Sequence, residues 1–273
     1  MARGVGYTKH LDDTLKRNIY GNQVPDMTFL YETSLTKSTE YDLGNVVVLP
    51  DGREFRYAKS GSACTNAYGV HFTDTGHQGY TAITTSVVVG DRSLIIPAGT
   101  HAAVTQDELR GGYVIVFQGG ADTYTTVRGI TGNDASDANV AYTIYLDADL
   151  KYAYVAGTAA VEVYANPWSH IESGGVFQAF VGLPACYVSA TATYFWVQTK
   201  GICWPVPGPA LGVKSGTAEG QFGGYWAANG TVQRCGVALA GVTVPSSNSD
   251  QYAGFVIAGD QENNGPLFVL QGY

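Results

Sequence analysis

Beyond residue 44 the chain never holds a helical period for more than about a turn. Val, Ile, Thr, Tyr and Phe fall in short runs, and Gly, Pro, Asn or Asp interrupts them at short intervals. Such a rhythm suits strands and turns and leaves little room for helices. The clearest case is Val46-Val47-Val48-Leu49, followed by Pro50-Asp51-Gly52 and then by Arg53-Glu54-Phe55-Arg56-Tyr57-Ala58. Pro presets φ for the turn and Gly supplies a positive-φ position, so the segment predicts a hairpin. Further strands are expected at 80–89, 113–118, 123–130, 140–146, 161–164, 176–181, 193–199, 237–244, 252–257 and 267–270. A one-turn helix is expected at Gln106–Arg110. The fold class that follows is all-β, a β-sandwich or β-barrel body extending over 44–273, with a subdivision near 166–168 or 205–209 as an option.

Residues 1–43 read differently. They are polar, irregular and comparatively basic, with one short helical stripe at Leu11, Leu15 and Ile19 that Pro25 would stop. The expectation here is an N-terminal arm that orders against a neighbour, or equally a terminal segment folded back on its own body.

Charge narrows the possible partners. Hydrophobic residues make up 45% of the 273, charged residues only 14%, and the formal net charge is −8. Residues 1–59 carry eight basic and eight acidic side chains, while 60–273 carry seven basic and fifteen acidic ones. So few cations cannot neutralise a run of phosphates, so neither nucleic acid nor an anionic membrane is an expected partner. A body so poor in charge and rich in Tyr fits either contact with other subunits or a Thr/Ser/Asn-polar surface. The N-terminus lacks the apolar core of a secretory signal, and no run approaches 18 apolar residues. Cys64, Cys186, Cys203 and Cys235 form no C-x-x-C pair, and buried free thiols in a reducing cytosol are expected.

No constellation of catalytic residues stands out. There is no phosphate-binding loop and no G-x-S-x-G elbow, and the one S-x-x-K match, Ser34–Lys37, lacks its usual partners. The histidines are His10, His71, His77, His101 and His170. His71 and His77 around Asp74 have the donor types of a metal site, but such residues in a Gly/Thr-rich loop are more often solvated. Asp134, Asp137 and Asn139 have the oxygen spacing of a calcium loop and also that of ordinary Asx turns; Asp147-Ala148-Asp149 is weaker still. Trp168, Trp196, Trp204 and Trp226 suit either a sugar platform or core and interface anchors. The expectation is that the chain is no enzyme, with no catalytic, cofactor-binding or metal-ligating residue assigned and no cofactor needed.

Five segments carry a resemblance. Val47-Val48-Leu49-Pro50-Asp51-Gly52-Arg53-Glu54-Phe55-Arg56-Tyr57-Ala58-Lys59, Gly111-Gly112-Tyr113-Val114-Ile115-Val116, Val163-Tyr164-Ala165-Asn166-Pro167-Trp168, Tyr194-Phe195-Trp196-Val197-Gln198-Thr199-Lys200-Gly201 and Cys235-Gly236-Val237-Ala238-Leu239 occur in this order. Together, over about residues 44 to 258, they resemble a family of tailed-phage virion structural proteins, decoration- or cement-like and encoded near the major capsid protein. Residues 1–40 have no counterpart there. The resemblance implies a non-enzymatic virion component on the capsid surface, assembled in the host cytoplasm. It implies binding to the major capsid protein and self-association, with a homo-oligomer such as a trimer as one arrangement. The alternatives are a tail- or fibre-associated virion protein, a carbohydrate-binding adsorption module, and a hydrolase acting on cell-surface polymers.

Overall fold

The computed structural model describes residues 8–10, 27–73, 76–119, 124–174, 179–208, 223–227, 229–234, 251–258 and 266–272. Among the described residues strand takes up about 48% and helix about 4%, in two curled antiparallel sheets, so the fold is all-β as expected. The chain divides into two compact units. One, the inserted unit, is the segment Asp74–Pro167; the other, the host unit, joins Thr8–Thr73 to Trp168–Tyr273. The passage between units after Pro167 falls in the 166–168 stretch, whereas Pro205–Gly208 lies within the host unit. There Val206 N–H donates to Ala67 O at 2.8 Å and Gly208 N–H to Val232 O at 2.7 Å.

The host unit contains β1 (Thr8–His10), β2 (Val46–Val48), β3 (Glu54–Lys59), β4 (Val70–Phe72), β11 (Ile171–Ser173), β12 (Ala179–Pro184), β13 (Tyr194–Cys203), β14 (Gly223–Trp226), β15 (Val232–Arg234), β16 (Tyr252–Ala258) and β17 (Leu267–Leu270). Their order is β1-β2-β3-β13-β17-β16-β14-β15, with β12 joining β13 to β4 and β4 pairing β11. The long strand β13 organises this sheet. Its first half pairs β3 in the register Tyr57↔Trp196, and its last three residues pair β17. Between the halves the register shifts, and the Gln198 side-chain amide donates to Lys200 O and Ile202 O to hold that bulge.

Of the expected arm, residues 27–43 pack on this sheet, through a 3-10 turn at Thr28–Tyr31 that buries Leu30 completely. Phe29 and Tyr41 both lie against Trp196, with ring centres 5.7 and 5.0 Å away. Ser34 and Tyr194 exchange backbone hydrogen bonds of 3.0 and 2.7 Å. The helical stripe at Leu11, Leu15 and Ile19 lies outside the described residues, as do the expected strand at 237–244 and Cys235.

The inserted unit is a single sheet in the order β5-β10-β7-β8-β9-β6. Its strands are β5 (Gly76–Ala82), β6 (Ser93–Ile96), β7 (Tyr113–Gln118), β8 (Tyr124–Asn133), β9 (Tyr142–Leu146) and β10 (Ala159–Tyr164). Its own core gathers Ile83, Leu94, Ile96, Leu109, Val114, Val116, Ile130, Ile144, Tyr154, Val161 and Val163, all nearly or fully buried. The expected strand at 80–89 stops at Ala82. Beyond it the chain bends, Val88 and Val89 are exposed, and Gly90 takes φ +97°. The expected helix at Gln106–Arg110 is a series of turns, because Asp107 adopts φ +61° and so breaks the right-handed run.

Where the chain leaves the host unit for the insertion, β4 and β11 are direct antiparallel neighbours, in the register Phe72↔Ile171. The insertion therefore departs and returns at paired residues, as a hairpin loop would.

Candidate functional site

Strand β7 explains why the inserted unit has an unusual surface. Its sequence, Tyr-Val-Ile-Val-Phe-Gln, is apolar on both faces of the pleat. Val114 and Val116 point into the core and are fully buried. Tyr113, Ile115 and Phe117 therefore point outward. The registers with both neighbours fix what lies beside them. Ile115 stands opposite Val127 on β8 and Glu162 on β10, Phe117 opposite Thr125 and Ala160, and Tyr113 opposite Gly129 and Tyr164. From β5, Tyr80 leans towards Phe117 with ring centres 5.5 Å apart. The same face continues to Tyr145 on β9 and Ile95 on β6.

The result is a band of apolar and aromatic side chains on the solvent side of a sheet. Tyr80, Val127 and Tyr113 are 66%, 54% and 46% exposed. The carboxylate in its middle, Glu162, accepts the Tyr164 hydroxyl at 3.0 Å. An antiparallel sheet facing water on one side usually alternates apolar-in with polar-out, so a two-sided apolar strand inside it departs from that pattern.

The resembling segments meet in pairs. The first and fourth are β2–β3 and β13, which pair edge to edge. The second and third are the start of β7 and the end of β10. Gly111 takes φ +80°, and a Cβ there would stand 2.4 Å from Asn166 Nδ2. A Cβ on Gly112 would stand 2.2 Å from Tyr164 O. These residues form the framework of the two sheets. The fifth segment lies outside the described residues.

The candidate residues separate. His71 sits on β4 of the host unit, its ring edge-on to Phe180, with Nδ1 bonded to Phe72 O at 3.0 Å. His77 sits on β5 of the inserted unit beside His101 and Tyr142, and Asp74 lies outside the described residues. The Asp134–Asn139 stretch is a turn: Asn139 takes φ +61°, Asp134 accepts the Tyr145 hydroxyl at 2.9 Å, and the Ser136 hydroxyl donates to the Asp137 and Val140 carbonyls. Asp149 pairs with Arg92. Ser34 and Lys37 do not meet. The Ser34 hydroxyl bonds Thr36 O, while Lys37 bonds Asp42 at 2.7 Å. Trp168, Trp196 and Trp226 are core residues, whereas Trp204 is 49% exposed.

His170 bonds Glu172 at 3.0 Å, and His10 lies on β1. Cys64, Cys186 and Cys203 are free thiols. Among the described residues no three His, Cys, Asp or Glu side chains gather as a metal site, and no helix is long and apolar enough to cross a membrane. The outward band is the feature that motif reading missed, although the unbroken apolar run Tyr113–Phe117 signals it. Comparison with protein-family models, with curated proteins and with solved structures finds no significant match.

Proposed function

We propose that the protein is a structural component of a tailed-phage virion, a capsid decoration or minor capsid protein that docks on the major capsid protein lattice through the outward face of the inserted unit. The observation that carries this reading is the apolar band Tyr80–Phe117–Ile115–Tyr113–Val127, clustered on one outward sheet face of a chain poor in charged residues. Removing aromatic and branched side chains from water supplies association free energy, and a lattice multiplies it, because each extra contact point adds avidity. The five ordered segments that resemble those of decoration-like virion proteins support the same assignment. Their described members are framework residues in this fold, which suits a protein whose task is to hold a shape.

The test uses capsid shells of the phage that encodes the chain, stripped of this protein. Wild-type protein should co-sediment with them at saturable stoichiometry. Val127→Glu places a charge on an exposed position of the band and leaves the core untouched. It should weaken binding by about 10-fold or more, since desolvating an unpaired carboxylate at an interface is costly. Equal binding by the variant would remove this face from the contact. Full-length protein with no affinity for heads, but found on tails by immunogold labelling, would move the assignment to a tail-associated protein. Loss of glycan binding by Trp204→Ala would move it to an adsorption module.

A further inference from the structure

We propose that the inserted unit holds a single divalent transition-metal ion of the zinc–nickel class between His77, His101 and Tyr142. These residues come from three different parts of the sheet: His77 from β5, Tyr142 from the start of β9, and His101 from the loop after β6. Their rings form a triangle, with centres 5.4 Å apart for His77–His101, 5.0 Å for His101–Tyr142 and 5.8 Å for His77–Tyr142. His101 and Tyr142 are only 2% and 4% exposed.

The polar atoms of this triangle lack partners. His77 Nε2, His101 Nε2 and the Tyr142 hydroxyl are buried, and none makes a hydrogen bond. Among the described residues only two other buried side-chain polar atoms share that condition. One is Gln78 Oε1, next to His77 in sequence. Gly99, two residues before His101, lies so close to the Gln78 amide that a Cβ there would meet it at 2.8 Å. Buried polar groups are ordinarily satisfied, so three orphans on mutually touching rings call for a missing partner.

The chemistry selects what the partner is. His101 Nδ1 lies 2.8 Å from the Ala102 carbonyl oxygen. A carbonyl only accepts, so Nδ1 carries the proton and Nε2 presents a lone pair. This backbone-anchored tautomer is the one that metal-binding imidazoles use. His77 Nε2, buried and without a partner, presents the second imidazole donor. A divalent ion bound there would displace the Tyr142 hydroxyl proton to solvent and leave a phenolate oxygen as the third donor.

The spacing also fits. With nitrogen about 2.0–2.1 Å from a tetrahedral ion, two imidazole ring centres stand roughly 5 Å apart. The three orphan atoms are closed to bulk solvent, and one ion between the rings would give each of them a partner. Imidazole donors favour zinc, nickel and copper over calcium and magnesium. Glu108, tied to Thr105 N and Oγ at 2.8 and 2.7 Å, adds a negative field on His77 that favours a cation.

The test is calorimetric titration of chelator-treated, full-length protein with Zn²⁺ and with Ni²⁺. One ion per chain is expected, with a rise in Tm and a phenolate signature in the ultraviolet difference spectrum. His77→Asn and His101→Asn should each lower affinity by about 100-fold or more. Tyr142→Phe keeps the ring packing and should abolish the phenolate signal while the protein stays folded. Co²⁺ should give the intense visible bands of a tetrahedral site in wild type and lose them in His101→Asn. Three outcomes would overturn the proposal: no binding of either ion, stoichiometric binding unchanged in both histidine variants, or a high-resolution crystal structure with a water on the three orphan atoms after metal soaking.

Discussion

At Gly112 the fold tolerates no side chain at all. The position is not left-handed, and what forbids a Cβ is the carbonyl oxygen of Tyr164, 2.2 Å from where it would sit. Backbone cannot swing aside as a side-chain tip can. Gly112→Ala should therefore destabilise the inserted unit by about 1–3 kcal/mol or more, read as a lower urea midpoint with unchanged slope.

The buried thiols give a residue-scale prediction with a defined sign. Burial pushes Cys64 and Cys203 up to about 12. An unfolded thiol ionises near about 8.5, so the folded state holds its protons longer. Their contribution to stability is complete below that value and is lost as pH rises towards the folded one. The urea midpoint should fall between about pH 8.5 and 10, and less steeply in a Cys64→Ala/Cys203→Ala variant. Both thiols should resist a disulfide reagent in the native protein and react on denaturation. That Cys64 and Cys203 are free and buried matches what their spacing and residue type led one to expect, while the strands that bury them, distant in sequence, were not legible.

Among the elements, β13 does the most organising, and its central residue explains why. Trp196 is 3% exposed and lies against Phe29, Tyr41 and Tyr57, so a single indole joins β3, β13 and the 27–43 segment. Trp196→Ala should cost about 3–5 kcal/mol in the host unit. It should also open residues 27–43 to limited proteolysis ahead of global unfolding. Strands with long apolar or alternating runs were legible: the 46–58 hairpin, 113–118, 252–257 and 267–270 appear close to where the pattern puts them. Strands such as Val70–Phe72, Ser93–Ile96, Ile171–Ser173 and Val232–Arg234 were not. Three or four residues carry too little periodicity to identify, and pairing with a partner far along the chain is what makes them strands. Glu108 adds a similar lesson. Its bonds to Thr105 resemble a helix start, yet the φ of Asp107 turns the same residues into successive turns.

The whole molecule is one β unit carrying another in a loop. The host unit loses the chain after Thr73 and recovers it at Trp168, and the nearby Phe72 and Ile171 are direct partners in its sheet. The inserted unit buries its own core of Leu, Ile and Val side chains. An insertion between paired residues leaves the host's hydrogen bonds intact, the condition under which domains are inserted without penalty to either. Replacing residues 74–167 with a short Gly-containing turn should leave the host unit folded, and the segment 74–167 should fold when expressed alone. Circular dichroism and cooperative urea transitions of the two pieces would check both, and a molten inserted segment would show that it depends on its host.

The sequence by itself determined the class of structure. Short β-branched runs between Gly, Pro and Asn leave strands as the way to satisfy the backbone, and a charge-poor composition fixes what the surface can meet. Period and composition are local properties, so they survive without a fold. The tertiary structure alone decided which strands pair, that the β7 apolar run faces both core and solvent, and that His77 meets His101 and Tyr142 rather than His71. Those outcomes depend on register between strands tens of residues apart, and a one-residue slip would turn every side chain to the other face.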